Sequence, residues 1–321
     1  NIKDTYDFLK EESMKVGFIG LGGIGKHMAI NIAKADFDLT VTDLREPPLK
    51  ELETHGAHIA GNPREVAESA DIILSSLPSN EASIEVALGS DGVLNGTKNG
   101  DIYIELSTIS PEVVHSIASE AESKGVSVLD APVSGGLKKR QEGLLTVMVG
   151  GDTKSVTRAM PVFEAFGNNI FHVGESGSGA TIKLINNLLC GINYVSTMEA
   201  LVLGAKSGLD IETLRAVISE SSGNSYAFEE VINNLTTRSP EPPQGEIATQ
   251  GLHTIGKDVI LANEMAQNMS VPLSVGSSAL QPLLAGLANG WAHKEYWVIL
   301  KLLEQLSGVE VMPRELRHSE D

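Results

Sequence analysis

Hydrophobic and polar positions along this chain follow two rhythms in succession. In the first half, short apolar runs alternate with amphipathic stretches. Residues 15–20 (KVGFIG) form an apolar run ending in glycine, which predicts a buried strand. The spacing then predicts a helix over 26–35, a strand over 38–43 (DLTVTD), a helix over 46–55 and a short strand over 58–60. It continues with helix 63–70, strand 71–77 closed by Pro78, helix 81–88, strand 101–106, helix 111–124 and strand 126–130. Residues 144–149 and 170–172 read as further strands at the far edge. Strands alternating with helices imply an α/β domain of the Rossmann type, with a doubly wound, mostly parallel sheet.

After Gly179 the strand patterns vanish. Residues 181–207, 210–221, 225–236, 250–268, 272–289 and 294–306 all carry helical periodicity. The second domain is therefore expected to be all-α, joined to the first by a long inter-domain helix. Residues 236–246 (TTRSPEPPQGE) read as a polar, proline-rich loop. The expected organisation is a leader or disordered extension over 1–13, a nucleotide-binding domain over 14–177, a helical substrate and dimerisation domain over 178–308, and a tail over 309–321.

Composition narrows the class. A chain of 321 residues with 41% apolar and 21% charged residues matches a soluble globular protein of two domains. The longest near-apolar stretch, 184–205, carries Asn186, Asn187, Asn193 and Glu199, so it reads as a buried helix and no membrane partner is expected. The single cysteine, Cys190, lies among Leu188, Leu189 and Ile192 and reads as a buried thiol. One cysteine cannot form a disulfide within the chain, which fits a cytoplasmic setting. A net charge of −18 argues against nucleic acid. It also requires local positive groups and helix N-termini to hold any anionic cofactor.

Two motifs carry chemistry. Gly20-x-Gly22-x-x-Gly25 follows a strand and opens a helix, the context that a dinucleotide-binding turn needs. Gly20 permits the tight turn, Gly22 lets the backbone approach a pyrophosphate, and Gly25 allows close helix packing. The amides of Gly23 and Ile24 then face the phosphates. Asp43 lies eighteen residues after Gly25 at the end of the second strand, where a carboxylate accepts ribose hydroxyls and repels a 2′-phosphate. That favours NAD over NADP, with Arg45 softening the preference. The second motif is Gly177-Ser178-Gly179-Ala180-Thr181-Ile182-Lys183, a glycine-to-helix transition bearing one lysine, with Asn187 one turn later on the same face. Oxidising an alcohol with a nicotinamide needs a group that shuttles a proton near neutral pH. A lysine that is buried or near a second cation is suited to that task, so Lys183 is expected to be buried with a lowered pKa. The alternative is a surface lysine, which the helix macrodipole disfavours at that end.

In these motifs the chain resembles the β-hydroxyacid dehydrogenase family, which includes 3-hydroxyisobutyrate dehydrogenase and 2-(hydroxymethyl)glutarate dehydrogenase. Four blocks carry the resemblance in order: VGFIGLGGIGKHMAINI (16–32), DAPVSGG (130–136), GSGATIKLINN (177–187) and KDVILA (257–262). The resemblance implies a Rossmann domain followed by a 6-phosphogluconate dehydrogenase-like helical domain that forms a homodimer or homotetramer. It implies Lys183 as the catalytic acid and base and Asn187 as a residue orienting the substrate. It implies that Ser134, Gly135 and Gly136 hold the substrate carboxylate. Leu77, Pro78 and Thr108 would line the cofactor path, and Lys257 would reach the site from the helical domain. Local alternatives stand beside these roles: a strand-to-loop turn for 134–136, a helix cap for Thr108, and a solvated ion pair for Lys257 with Asp258.

Two departures bear on the substrate. The family has small residues after DAPVSGG, where this chain has Lys138, Lys139 and Arg140. They read as a solvated charge run or as a site for a second anionic group. At 221–226 (SSGNSY), Asn224 stands where the family has arginine, which would remove one cation. The eight histidines, His27, His55, His58, His115, His172, His253, His293 and His318, show no metal-ligand spacing, so no metal site is expected. The expected activity is hydride transfer between NAD(H) and a small β-hydroxy acid. The alternatives are a non-catalytic NAD-binding module and an imine reductase of the same architecture.

Overall fold

A computed structural model describes residues 14–237, 239–242, 248 and 250–311 of the chain. The expected leader over 1–13, residues 238 and 243–246 of the 236–246 loop, and the tail beyond 311 with His318 lie outside the described residues.

The chain divides into two compact units, Asn1–Lys183 and Leu184–Asp321. In chain order the first contains β1 (Lys15–Ile19), α1 (Gly25–Lys34), β2 (Asp38–Thr42), α2 (Glu46–Thr54), β3 (His58–Ile59), α3 (Pro63–Glu68), β4 (Ile72–Ser75) and α4 (Asn80–Leu88). β5 (Ile102–Glu105), α5 (Pro111–Glu122), β6 (Ser127–Asp130), β7 (Val133–Ser134), α6 (Leu137–Gln141), β8 (Leu145–Gly150), α7 (Thr153–Glu164) and β9 (Gly167–Gly174) follow. The nine-stranded sheet runs β3-β2-β1-β4-β5-β6-β8-β7, with β9 pairing β8. β1 pairs in parallel with both β2 and β4, so the strand order reverses beside β1. In open α/β sheets, ligands bind at such a point, outside the carboxyl ends of the strands.

Successive strand residues point to opposite faces. Phe18, Leu74 and Ile104 enter one core and Ile19, Ile73 and Tyr103 the other. Both faces are covered, as a parallel sheet requires, which explains the uninterrupted apolar runs.

Three elements of this unit were not legible in the periodicity: β7, α6 and α7. Helix α7 has Pro161 in its interior, which masks the pattern. It is fixed instead by its amphipathic face (Val156, Ala159, Val162 and Phe163 buried) and by Asp152, whose side chain accepts from the Ser155 amide at 2.9 Å.

α8 (Ser178–Lys206) begins in the first unit and runs on into the second. The units therefore divide at Lys183/Leu184, beyond the expected boundary near 178. The reason is local: Ala180 packs with Ile109 and Val114, and Asp130 holds the first turn of the helix. The second unit continues with α9 (Ile211–Ser219), α10 (Tyr226–Thr237), α11 (Leu252–Asn268), α12 (Ser274–Ala288) and α13 (Ile299–Ser307). Its core joins Tyr194, Met198 and Leu201 of α8 to Phe228, Leu283, Trp297 and Ile299. α8 is long and apolar enough, by length and composition alone, to cross a membrane. The burial of Tyr194, Val195, Met198 and Leu201 among other helices marks it as a core helix. Cys190 is half-buried rather than buried.

Candidate active site

In the first unit, each element expected to bind the dinucleotide follows the carboxyl end of a parallel strand, whereas Lys257 lies on α11 of the second unit. Gly20 follows β1 with φ of +87°, a conformation that favours glycine. A Cβ there would run into the Ser76 carbonyl, and one on Gly25 would run into the Gly20 carbonyl. A Cβ on Gly22 would meet no protein atom within 4 Å. Two glycines therefore allow the chain to close on itself, and the third leaves an open cradle. α1 has no side-chain cap and no acidic residue in its first turn, so no carboxylate of its own competes for the amides at its start. The residues present fit the diphosphate of a dinucleotide.

Asp43 follows β2. Its Oδ2 accepts from the Leu21 amide at 2.6 Å and its Oδ1 from the Arg45 amide at 2.8 Å and Nε at 3.0 Å. Arg45 Nη2 also donates to the Leu21 carbonyl at 3.0 Å. Burial alone would raise the Asp43 carboxyl, but Arg45 and the two amides together hold it below the usual carboxylate range. Asp43 is thus bonded to the glycine turn, and Arg45 sits on the same carboxylate.

Leu77 and Pro78 follow β4, and Thr108 follows β5. A buried glutamate that sequence reasoning missed joins these loops. Glu105 Oε1 accepts from the Ser107 amide at 2.9 Å, and Ser107 Oγ accepts from the Leu77 amide at 2.7 Å. Tyr103 donates to Glu105 Oε2 at 3.2 Å, and burial pushes the Glu105 carboxyl up. Ser110 stands at the N-cap of α5 without a side-chain bond; its amide donates to Asn80 Oδ1 at 3.0 Å.

Ser134 ends β7, and Gly136 precedes α6. Gly135 has φ of +155°, and a Cβ on it would press on Leu145 at 2.6 Å, so this loop needs glycine. Four residues earlier lies Asp130, in the same block but given no role by sequence reasoning. It is 1% exposed; its Oδ1 accepts from the Gly177 amide and its Oδ2 from the Ala180 amide, each at 2.7 Å. Both bonds fall on the entry to α8, ahead of Lys183. On the other side, His115 Nε2 lies 2.9 Å from the Ser176 carbonyl, and a Cβ on Gly177 would run into that imidazole. Lys183 follows on α8, and it is buried, with 9% exposure.

Lys138 and Lys139 are exposed, as a solvated charge run requires, but Arg140 corrects that reading. Arg140 is 5% exposed, and its Nη1 donates to the Gly23 carbonyl at 3.0 Å. Its own carbonyl accepts from Asn31 Nδ2 at 3.0 Å. The side chain turns to the glycine turn because a buried guanidinium needs acceptors.

In the second unit, Asn187, Asp258 and Lys257 come together. Asn187 Nδ2 donates to Asp258 Oδ2 at 2.6 Å, and Lys257 Nζ lies 3.1 Å from Asp258 Oδ1. Asp258, with a side chain 3% exposed, links the two residues that the sequence singled out. The pair is therefore not a solvated one. Asn224 is exposed and folds back on the Ser219 carbonyl at 2.9 Å. His253 bonds the Ala292 carbonyl at 3.0 Å, a structural role.

Comparisons with known proteins identify the family. Residues 15–174 match the NAD binding domain of 6-phosphogluconate dehydrogenase. Residues 177–303 match the family described as NAD-binding of NADP-dependent 3-hydroxyisobutyrate dehydrogenase. The chain is 39% identical over 302 residues to 2-(hydroxymethyl)glutarate dehydrogenase of Eubacterium barkeri, covering 94% of this chain and 98% of that one. The chain belongs to the 3-hydroxyisobutyrate dehydrogenase-like β-hydroxyacid dehydrogenases. Another member of the family, an NAD-dependent L-serine dehydrogenase of Pseudomonas aeruginosa, is 36% identical over 92% of this chain and 99% of its own. The solved structure of Mycobacterium tuberculosis 3-hydroxyisobutyrate dehydrogenase with L-serine superposes with a TM-score of 0.81 at 28% identity, covering 91% of this chain and 99% of that one. As a β-hydroxyacid dehydrogenase, the protein is an oxidoreductase that uses a nicotinamide cofactor. The expectations of a non-catalytic module and of an imine reductase give way to that membership.

Proposed function

We propose that this protein oxidises a small β-hydroxy acid reversibly, with NAD preferred over NADP and Lys183 as the proton-transfer group. A nicotinamide dinucleotide supplies hydride acceptance and donation. The rest falls to the chain's own residues. Lys183 takes the proton from the substrate hydroxyl during oxidation and returns it to the carbonyl oxygen during reduction. Asn187, one turn on, orients the substrate, and its amide is fixed by Asp258. Ser134, Gly135 and Gly136 hold the carboxylate through the exposed side of their loop. Leu77, Pro78 and Thr108 line the cofactor path, and Lys257 closes on the cofactor or substrate from α11. Asp43 accepts the ribose hydroxyls.

The observation that carries this reading is a lysine buried to 9% exposure just inside α8, a helix whose entry Asp130 clamps with two amide bonds. A lysine is almost never buried this far unless it is paired, which sets Lys183 apart from a solvated surface lysine. The substrate class follows from relatives named for 2-(hydroxymethyl)glutarate, L-serine and 3-hydroxyisobutyrate. Arg140 is turned to Gly23, so a second anionic group on the substrate would have only Lys138 and Lys139 of that run to meet.

The test is a screen of NAD and NADP reduction over β-hydroxy acids, including those three and glycerate, with wild type beside Lys183→Ala. The variant is expected to bind NADH as wild type does and to lose turnover by about 10²–10⁴-fold. Near-normal turnover would remove Lys183 from the mechanism. A homodimer or homotetramer formed through the helical unit, in the cytoplasm, completes the proposal. Ile185, Leu189 and Leu203 of α8 are 46%, 57% and 68% exposed, an apolar face suited to a second copy. Sedimentation equilibrium decides it, and a monomer at micromolar concentration would sink it.

A further inference from the structure

We propose that Arg140 is a positioning residue for the dinucleotide diphosphate, acting through the Gly23–Ile24 peptide. Its Nη1 donates to the Gly23 carbonyl at 3.0 Å. In a trans peptide the N–H points away from the C=O of the same unit. Fixing the Gly23 carbonyl therefore fixes the direction of the Ile24 amide, which stands at the N-cap of α1 in the glycine turn. A cation on the carbonyl also polarises the peptide, so its N–H becomes a stronger donor to an anion.

Further observations support the assignment. Arg140 is anchored at two points of one segment: its guanidinium bonds the turn, and its carbonyl accepts from Asn31 Nδ2 of α1 at 3.0 Å. It thus follows the turn and its helix as one body. Its 5% exposure puts the charge where water screens it least. Lys26, the cation in the first turn of α1, is engaged with Glu51 at 2.8 Å, whereas Arg140 faces the turn itself. A chain of net charge −18 repels a dinucleotide overall, so a buried cation at this turn has a large effect.

The test is calorimetric titration of wild type, Arg140→Met, Arg140→Gln and Arg140→Lys with NADH, ADP-ribose and adenosine, each variant checked by thermal melting. Loss of one charge-assisted hydrogen bond predicts that Arg140→Met raises the Kd of NADH and ADP-ribose by about tenfold. Adenosine, which lacks the diphosphate, is expected to bind unchanged, and Arg140→Lys to recover most of the loss. A folded Arg140→Met with wild-type Kd for NADH overturns the proposal. So does a loss shared equally by adenosine, which would mark a general structural effect. Should Arg140→Met not fold, Arg140→Gln decides: it keeps a donor for Gly23 without the charge, and an unchanged Kd overturns the role of the charge. Wild type binding none of the three ligands would overturn the nucleotide site itself, a separate result.

Discussion

Replacing Asp130 tests whether the placement of Lys183 depends on a clamp at the start of its helix. Asp130→Ala removes both acceptors of the Gly177 and Ala180 amides, each now bonded at 2.7 Å in a buried setting. A buried amide left without a partner costs about 1–3 kcal/mol, so two cost about 2–6 kcal/mol. An opposing effect reduces this. Burial raises the Asp130 carboxyl despite its amide bonds, so the charge itself is under strain, and removing it returns part of that penalty. We expect the orphaned amides to win, with a net loss of about 2–4 kcal/mol. Asp130→Asn should lose less, because its amide oxygen keeps one of the two bonds. The first assay is urea unfolding followed by far-UV circular dichroism. The second is hydrogen exchange at the Gly177 and Ala180 amides, which reports the clamp directly. In the same variant, NADH affinity should hold while kcat falls, because the dinucleotide turn is untouched and the helix bearing Lys183 is not. A wild-type unfolding midpoint together with unchanged exchange at those amides would refute the reasoning.

Other predictions concern charge and the second unit. Asp43→Asn should narrow the preference for NAD over NADP, since a neutral amide does not repel a 2′-phosphate; an unchanged ratio of kcat/KM values would show that Asp43 does not read the ribose. The Asp43 carboxyl is held below its ordinary value of 3.8, so its stabilisation is present above that value and is lost only as pH falls through the lowered one. The Asp43 carboxyl should therefore not titrate between about pH 8 and pH 5, and a carbon-13 NMR titration that shows it doing so would count against the argument. Asp258→Ala removes the acceptor of Asn187 at 2.6 Å and the partner of Lys257 at 3.1 Å. We expect the second unit to lose about 2–4 kcal/mol, read by fluorescence of Trp291 and Trp297, which both lie in it; an unmoved midpoint would show that the pair carries no stability.

The comparison of pattern with structure turns on how far apart the interacting residues are. The glycine turn was legible because each of its requirements is local: a strand before it, a helix after it, and backbone that admits no Cβ at Gly20 or Gly25. Lys183 stood out because a lysine in an apolar helix start is a local anomaly. Asp130 did not, because the amides it holds are 47 and 50 residues away, and nothing in LDAPVSGG announces them. Glu105 was missed for the same reason: an acid within a strand reads as a surface residue until Tyr103 and Ser107 are seen to converge on it. Arg140 was misjudged as part of a run of three cations, since charge runs are mostly solvated and only packing shows which member turns inward.

The sequence by itself determined the class of fold, the family and the dinucleotide turn, because periodicity, glycine placement and motif order are properties of short segments. Tertiary structure alone decided which polar groups are buried and what they bond. It set Asp130 against the helix of Lys183, Glu105 between the loops that follow β4 and β5, Asp258 between Asn187 and Lys257, and Arg140 on the Gly23 carbonyl. The physical reason is desolvation: a polar side chain withdrawn from water must find its partners nearby in space, and the chain supplies them from distant positions.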